Sequence, residues 1–148
     1  MELYLYVLFC IMFFACAVMD YRSKKVPDII VSLMWLFMAY TGELLTYFTV
    51  LFFFGVAYFS NSAAALFKKP FAGWGDILTF PIFVGCINSL WLATGDIGYL
   101  GLIPVALVLA AMEGYITKTE KVALTPYFFI ALICGVVYYA SQFIPPAG

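Results

Sequence analysis

The placement of positive charge constrains this chain more than any single motif. All seven Lys and Arg residues fall in three short connections: Arg22, Lys24 and Lys25, then Lys68 and Lys69, then Lys118 and Lys121. Around them run six apolar segments, 3–19, 27–42, 44–67, 77–93, 99–117 and 122–144. Crossing a hydrocarbon core of about 30 Å takes roughly 17–25 helical residues, so most of these segments are long enough to span. The second is the short one, since its uninterrupted apolar part is only 29–40, a length that also suits a re-entrant or thinned-membrane segment. As one helix, 28–67 would reach roughly 60 Å at ~1.5 Å per residue, twice the membrane, so a break at Thr41-Gly42-Glu43 is expected. Thr94-Gly95-Asp96-Ile97-Gly98 supplies the turn for a second hairpin.

With these turns the basic connections alternate with connections that carry no Lys or Arg. The positive-inside rule then makes the basic connections cytoplasmic and both termini extracytoplasmic. The expected fold is an all-α, six-transmembrane-helix bundle, with residues 1–148 as a single integral-membrane domain. Asp20, Asp28, Asp76 and Glu120 belong at the inner face with Glu113 about a turn inside it, while Glu2, Glu43 and Asp96 belong outside. Tyr4, Tyr6, Tyr47, Tyr99, Tyr138 and Tyr139 lie near outer ends, as interfacial aromatic anchors would.

Composition agrees and removes several classes of function. The chain is 66% hydrophobic and 10% charged, against roughly 45–50% and 25% in soluble domains. With a net charge of −1 and no long basic run, nucleic acid is an unsuitable partner. There is no histidine, which removes Ser-His and Cys-His nucleophile pairs, HExxH sites and most zinc ligation. Cys10, Cys16, Cys86 and Cys134 stand singly in apolar segments without a CxxC pair and read as small buried hydrophobes, so no metal and no cofactor is expected. Segment 3–19 is followed rather than preceded by positive charge, the reverse of a secretory signal, and reads as a retained span.

Ionisable groups at the edge of a span mark functional sites when they face the bundle interior. Asp20 ends the first span and Asp76 begins the fourth, so a six-helix bundle can bring them together at one depth. Two carboxyl groups sharing a site titrate as a pair and retain one proton near neutral pH, the state an aspartyl protease uses. The ionised member deprotonates water, and the protonated member hydrogen-bonds the scissile carbonyl. Gly73 and Gly75, beside Asp76, would open backbone conformations closed to other residues and allow an extended substrate to approach. Taken singly, each acid has a plainer reading: Asp76 as a helix-start carboxylate favoured by the macrodipole, and Asp20 as a loop acid paired with Arg22 or Lys24. Asp28, after Pro27 at the start of the second span, is a helix-start residue or a third catalytic acid. Glu113 pairs with Lys118 or lines the site.

Three stretches together carry a family resemblance. Met19-Asp20-Tyr21-Arg22-Ser23-Lys24-Lys25-Val26-Pro27-Asp28 resembles the Asp, basic loop and Ile-Pro-Asn sequence of type IV prepilin peptidases, the GxGD membrane aspartyl proteases. Gly73-Trp74-Gly75-Asp76 is similar to their GxGD motif, and 124–132 with Gly135, around Pro126, is similar to their late Pro-containing segment. The resemblance covers nearly the whole chain and implies that Asp20 and Asp76 are the catalytic pair. Asp28 in place of Asn, Ile77-Leu78 after the GxGD stretch and Phe128-Phe129 without a second proline depart from the family pattern. The chain resembles the short form found in tight-adherence (Flp-type) pilus systems, without the cysteine-rich zinc region and without methyltransferase activity. The implied substrate is a pilin precursor with a basic leader, held in the membrane and cut at the cytoplasmic face of a bacterial inner membrane. Two other classes compete: a small ion- or proton-coupled transporter using the inner-face acids, and a non-catalytic pilus or secretion assembly subunit.

Overall fold

The computed structural model describes residues 1–23, 25–41, 43–66, 73–118 and 122–143. Lys24, Lys68, Lys69, Glu120 and Lys121, and the segment ends Gly42, Phe67 and Ile144, lie outside the described residues. Six α-helices follow one another: α1 (Leu3–Ser23), α2 (Asp28–Tyr40), α3 (Leu44–Leu66), α4 (Trp74–Thr94), α5 (Leu102–Thr117) and α6 (Thr125–Ser141). A short 3-10 helix, Ile97–Gly101, leads into α5, and no strand occurs among the described residues. Four stretches are long and apolar enough to cross a membrane: Leu3–Ser23, Leu44–Ala64, Trp74–Thr94 and Ile97–Thr117. α2 and α6 are apolar but shorter.

The two expected helix breaks occur. α2 stops at Tyr40, with the Thr41 N–H closing on the Phe37 carbonyl at 3.1 Å, and α3 begins at Leu44. α4 ends on Gly95, whose φ of +71° is the left-handed cap that glycine adopts without a Cβ penalty. Asp96 then accepts from the Gly98 N–H at 2.8 Å and starts the 3-10 turn. Segment 99–117 is therefore not one uniform helix. Pro104 lies in the first turn of α5, where a missing N–H costs no intrahelical bond.

Helix limits depart from the apolar segments where polar residues continue a helix. α1 runs past residue 19 to Ser23 and so takes Asp20 into its last turn. α4 begins at Trp74, which puts Asp76 inside its first turn. Segment 122–144 is trimmed to Thr125–Ser141, with Pro126 in the first turn.

Two central helices carry the core. In α4, 67% of the apolar window is buried and in α1 50%, against 11% for α3 and 17% for α5, whose outer faces are apolar and exposed. α4 packs on α2, α3, α5 and α6, and α6 also packs on α1. The centre is aromatic. Phe83 stacks on Phe128 with centroids 4.9 Å apart, and Phe13 meets Phe83 edge-on at 6.5 Å. The Trp35 Nε1–H donates to the Leu78 carbonyl at 3.1 Å, fixing α2 on α4.

Contacts at the two ends give the helices alternating directions. One end joins the last turn of α1 to the first turn of α6 through Asp20 and Thr125, and the C-terminal part of α3 to the start of α4 through Tyr58 and Trp74. The C-terminal part of α5 joins the start of α6 there, through Glu113 and Tyr127. The opposite end gathers Met1, Glu43, Tyr6 and Ser89. Tyr6 and Tyr99 lie at that opposite end, as expected from sequence, but they are buried rather than interfacial: Tyr6 Oη donates to Ser89 Oγ at 2.8 Å. Cys10, Cys16 and Cys86 are buried, whereas Cys134 faces outward from α6. A thiol is small and apolar enough for either setting.

Candidate functional site

Asp20 and Asp76 arrive at the same end of the bundle from different helices. Asp20 is 6% exposed, and its Oδ2 accepts the Thr125 N–H at 3.3 Å. That N–H is one of the donors a helix start leaves unpaired, and it points from the positive end of the helix dipole. The loop reading of Asp20 is therefore replaced: the acid is helical and buried, and it caps a neighbouring helix. Asp76 is the third residue of α4, and its Oδ2 accepts from the Gly73 N–H at 3.2 Å, the carboxylate half of a capping box. Its other oxygen, Oδ1, is buried with no hydrogen-bond partner among the described residues. Leu124, the residue before Thr125, lines one cavity with Asp76, so both acids stand at the head of α6.

Asp76 opens onto a cavity of about 430 Å³ bounded by α3, α4, α5 and α6. Ala57 and Ser60 line it on one side, Leu107 and Ala110 on another, with Phe80 and Phe128 beside the acid. The walls are apolar apart from Asp76 and Ser60, a composition suited to an apolar ligand or side chain held at one polar point.

Neither glycine owes its place to backbone freedom, and only Gly75 is needed for space. Gly73 has φ −76° and ψ 165°, which any residue adopts, so the expected special conformation is absent there. Gly75 is helical, and a Cβ on it would stand 2.7 Å from Val26 Cγ2. Its value is the close approach of the 25–27 connection to α4. Pro27 is the N-cap residue of α2, with Asp28 exposed in the first helical turn. That agrees with the helix-start reading of Asp28, and no described contact ties it to the carboxylate pair. Pro126 belongs to the first turn of α6, next to Thr125. Glu113 accepts a hydrogen bond from Tyr127 Oη, an arrangement that neither alternative drawn from the sequence included.

Sequence reasoning also missed Thr125, which is fully buried, holds Asp20 through its N–H and has an Oγ1 without a partner among the described residues. A Thr before Pro at the start of an apolar run signals a helix start and nothing more. No group of three or more Cys, Asp or Glu that could hold a metal ion occurs among the described residues. Searches against protein-family models, curated proteins and solved structures return no match.

Proposed function

We propose that the chain is a membrane-embedded aspartic endopeptidase that removes the basic leader from type IV pilin-like precursors, with Asp20 and Asp76 activating water. The observation that carries this reading is the convergence of two buried or half-buried carboxyl groups from α1 and α4 at the head of α6, one of them facing an apolar cavity. The resemblance of 19–28, 73–76 and 124–132 to prepilin peptidases supplies the reaction. An ionised carboxylate takes a proton from water, and the oxygen adds to the scissile carbonyl. The protonated partner hydrogen-bonds the carbonyl oxygen as it gains charge, and collapse releases the new amine with its proton. No covalent enzyme intermediate, metal or cofactor enters the scheme.

Arg22, Lys25 and Lys118 flank the end that carries the pair, which supports a cytoplasmic site in a bacterial inner membrane with six spans and both termini outside. The partners are then the precursor and membrane lipid.

A purely structural reading has its own support, because Asp20 caps α6 and Asp76 caps α4. Asparagine separates the two, since its amide oxygen can still accept the Thr125 or Gly73 N–H but the side chain cannot serve as acid or base. Asp20→Asn and Asp76→Asn should each accumulate in the membrane and yet lower processing of a co-expressed pilin precursor at least ~100-fold, the lower range for acid–base groups. Full processing by either variant would remove the dyad assignment.

A further inference from the structure

We infer that Thr125 is a positioning residue for the carboxylate pair, its hydroxyl holding the water molecule that Asp20 and Asp76 activate; this rests on the endopeptidase reading above. Among the described residues three buried side-chain polar atoms lack a hydrogen-bond partner: Asp76 Oδ1, Thr125 Oγ1 and Tyr99 Oη. Tyr99 is at the far end of the bundle. The other two stand at the head of α6, since Thr125 binds Asp20 through its N–H while Leu124, the residue before it, lines the same cavity as Asp76. Buried polar groups are costly to leave unpaired, so two at one carboxylate pair mark a place built for a shared partner.

The chemistry of the two atoms selects that partner. An ionised carboxylate oxygen only accepts hydrogen bonds, whereas a threonine hydroxyl donates one and accepts others. Water satisfies both, and a buried water typically makes about three hydrogen bonds. With its protons directed at the carboxyl oxygens and the Thr125 O–H donated to one lone pair, the water keeps its other lone pair for a carbonyl carbon. Burial at 0% exposure at the head of α6 fixes the hydroxyl's place relative to Asp20. The surrounding titratable groups are Cys16 and Tyr21 on α1, Asp76 on α4, Glu113 on α5 and Tyr127 on α6. A residue chosen only for packing has no need of the hydroxyl, since valine has nearly the same shape without a polar atom to bury.

The test uses the full chain reconstituted in liposomes with a pilin precursor. Thr125→Val and Thr125→Ala should lower kcat about 10- to 100-fold with KM within about threefold, somewhat less than the roughly 100- to 1,000-fold lost with a single oxyanion-hole donor. Both should move the pH–rate profile, and Thr125→Ser should restore kcat and profile. Wild-type kcat in Thr125→Val, or a serine variant as impaired as valine, would overturn the inference and assign Thr125 to packing. If the wild-type protein cuts no precursor, the endopeptidase reading fails separately. The infrared band of the protonated carboxyl, identified by its loss in Asp20→Asn or Asp76→Asn, then reads the hydroxyl directly. Displacement in the valine variant but not the serine variant is expected, and an unmoved band in the valine variant overturns the contact.

Discussion

A methyl group added to Gly75 would stand 2.7 Å from Val26 Cγ2 and 2.9 Å from its Cβ, whereas one on Gly73 would meet nothing nearer than Asp76 Oδ2 at 3.5 Å. Gly75→Ala should therefore destabilise the protein by about 1–3 kcal/mol, the range for overpacking, with Val26→Ala in the same chain recovering most of the loss. Gly73→Ala should cost no more than about 1 kcal/mol, the difference between glycine and alanine at an N-cap. Thermal unfolding in detergent measures both. Glu43 gives a pH-dependent counterpart at the opposite end. Burial raises its pKa, but hydrogen bonds from the Met1 ammonium, Ser89 and Thr46 outweigh burial and hold the carboxyl below its ordinary value. A depressed folded-state pKa means that this stabilisation is complete above the ordinary glutamate value and is lost as pH falls through the lowered one. The melting temperature should fall below about pH 4.5, and Glu43→Gln should flatten that fall while lowering stability at neutral pH. Asp20 and Asp76 were legible as acids at the ends of apolar segments. Thr125 was not, because burial and an unpaired hydroxyl are properties of the assembled bundle rather than of a Thr-Pro pair.

α4 is the helix on which the others are mounted, and its glycine at position 85 shows how. A Cβ there would lie 2.4 Å from Val50 Cγ2 on α3 and 3.3 Å from Met38 Cε on α2, so the absent side chain lets both helices close in. Small residues at such crossings are the usual means of bringing membrane helices together. Gly85→Ala should destabilise by about 1–3 kcal/mol, with Val50→Ala restoring part of it. Gly55, on α3, has nothing within 4 Å of an added Cβ, so Gly55→Ala should be neutral or stabilise by up to about 1 kcal/mol through helix propensity. Parallel melts of these variants separate a packing glycine from an idle one. The existence and order of the helices followed from hydropathy and turn residues, but their limits did not. Hydropathy falls where Asp20 and Arg22 begin, whereas the backbone hydrogen bonds of α1 continue to Ser23.

At the scale of the whole molecule, the alternation of basic connections with connections lacking Lys and Arg anticipated which helix ends meet. Arg22, Lys25 and Lys118 belong with Asp20 and Asp76 at one end, and Glu43 and Asp96 with Tyr6 and Tyr99 at the other. Sidedness can be read by single cysteines in a background lacking the four native ones. A cysteine at Ser23 should react with a membrane-impermeant maleimide only after the cytoplasmic side is opened, and one at Gly98 should react from outside. The reverse pattern would invert the orientation. The depth of the polar groups on α4 has a separate physical result. Asp76 and Ser89 are under four turns apart, about 20 Å along the axis, and the neighbouring α2 has only 13 residues, again about 20 Å. The carboxylate pair and the Glu43 cluster thus bracket an oily layer about a third thinner than a hydrocarbon core of about 30 Å. Beside the short α2, a bilayer of ordinary thickness would have to thin or admit water, which is hydrophobic mismatch on that flank. On the proposed endopeptidase reading, acyl-chain length becomes a control on how readily water and a lipid-held peptide bond reach the same depth.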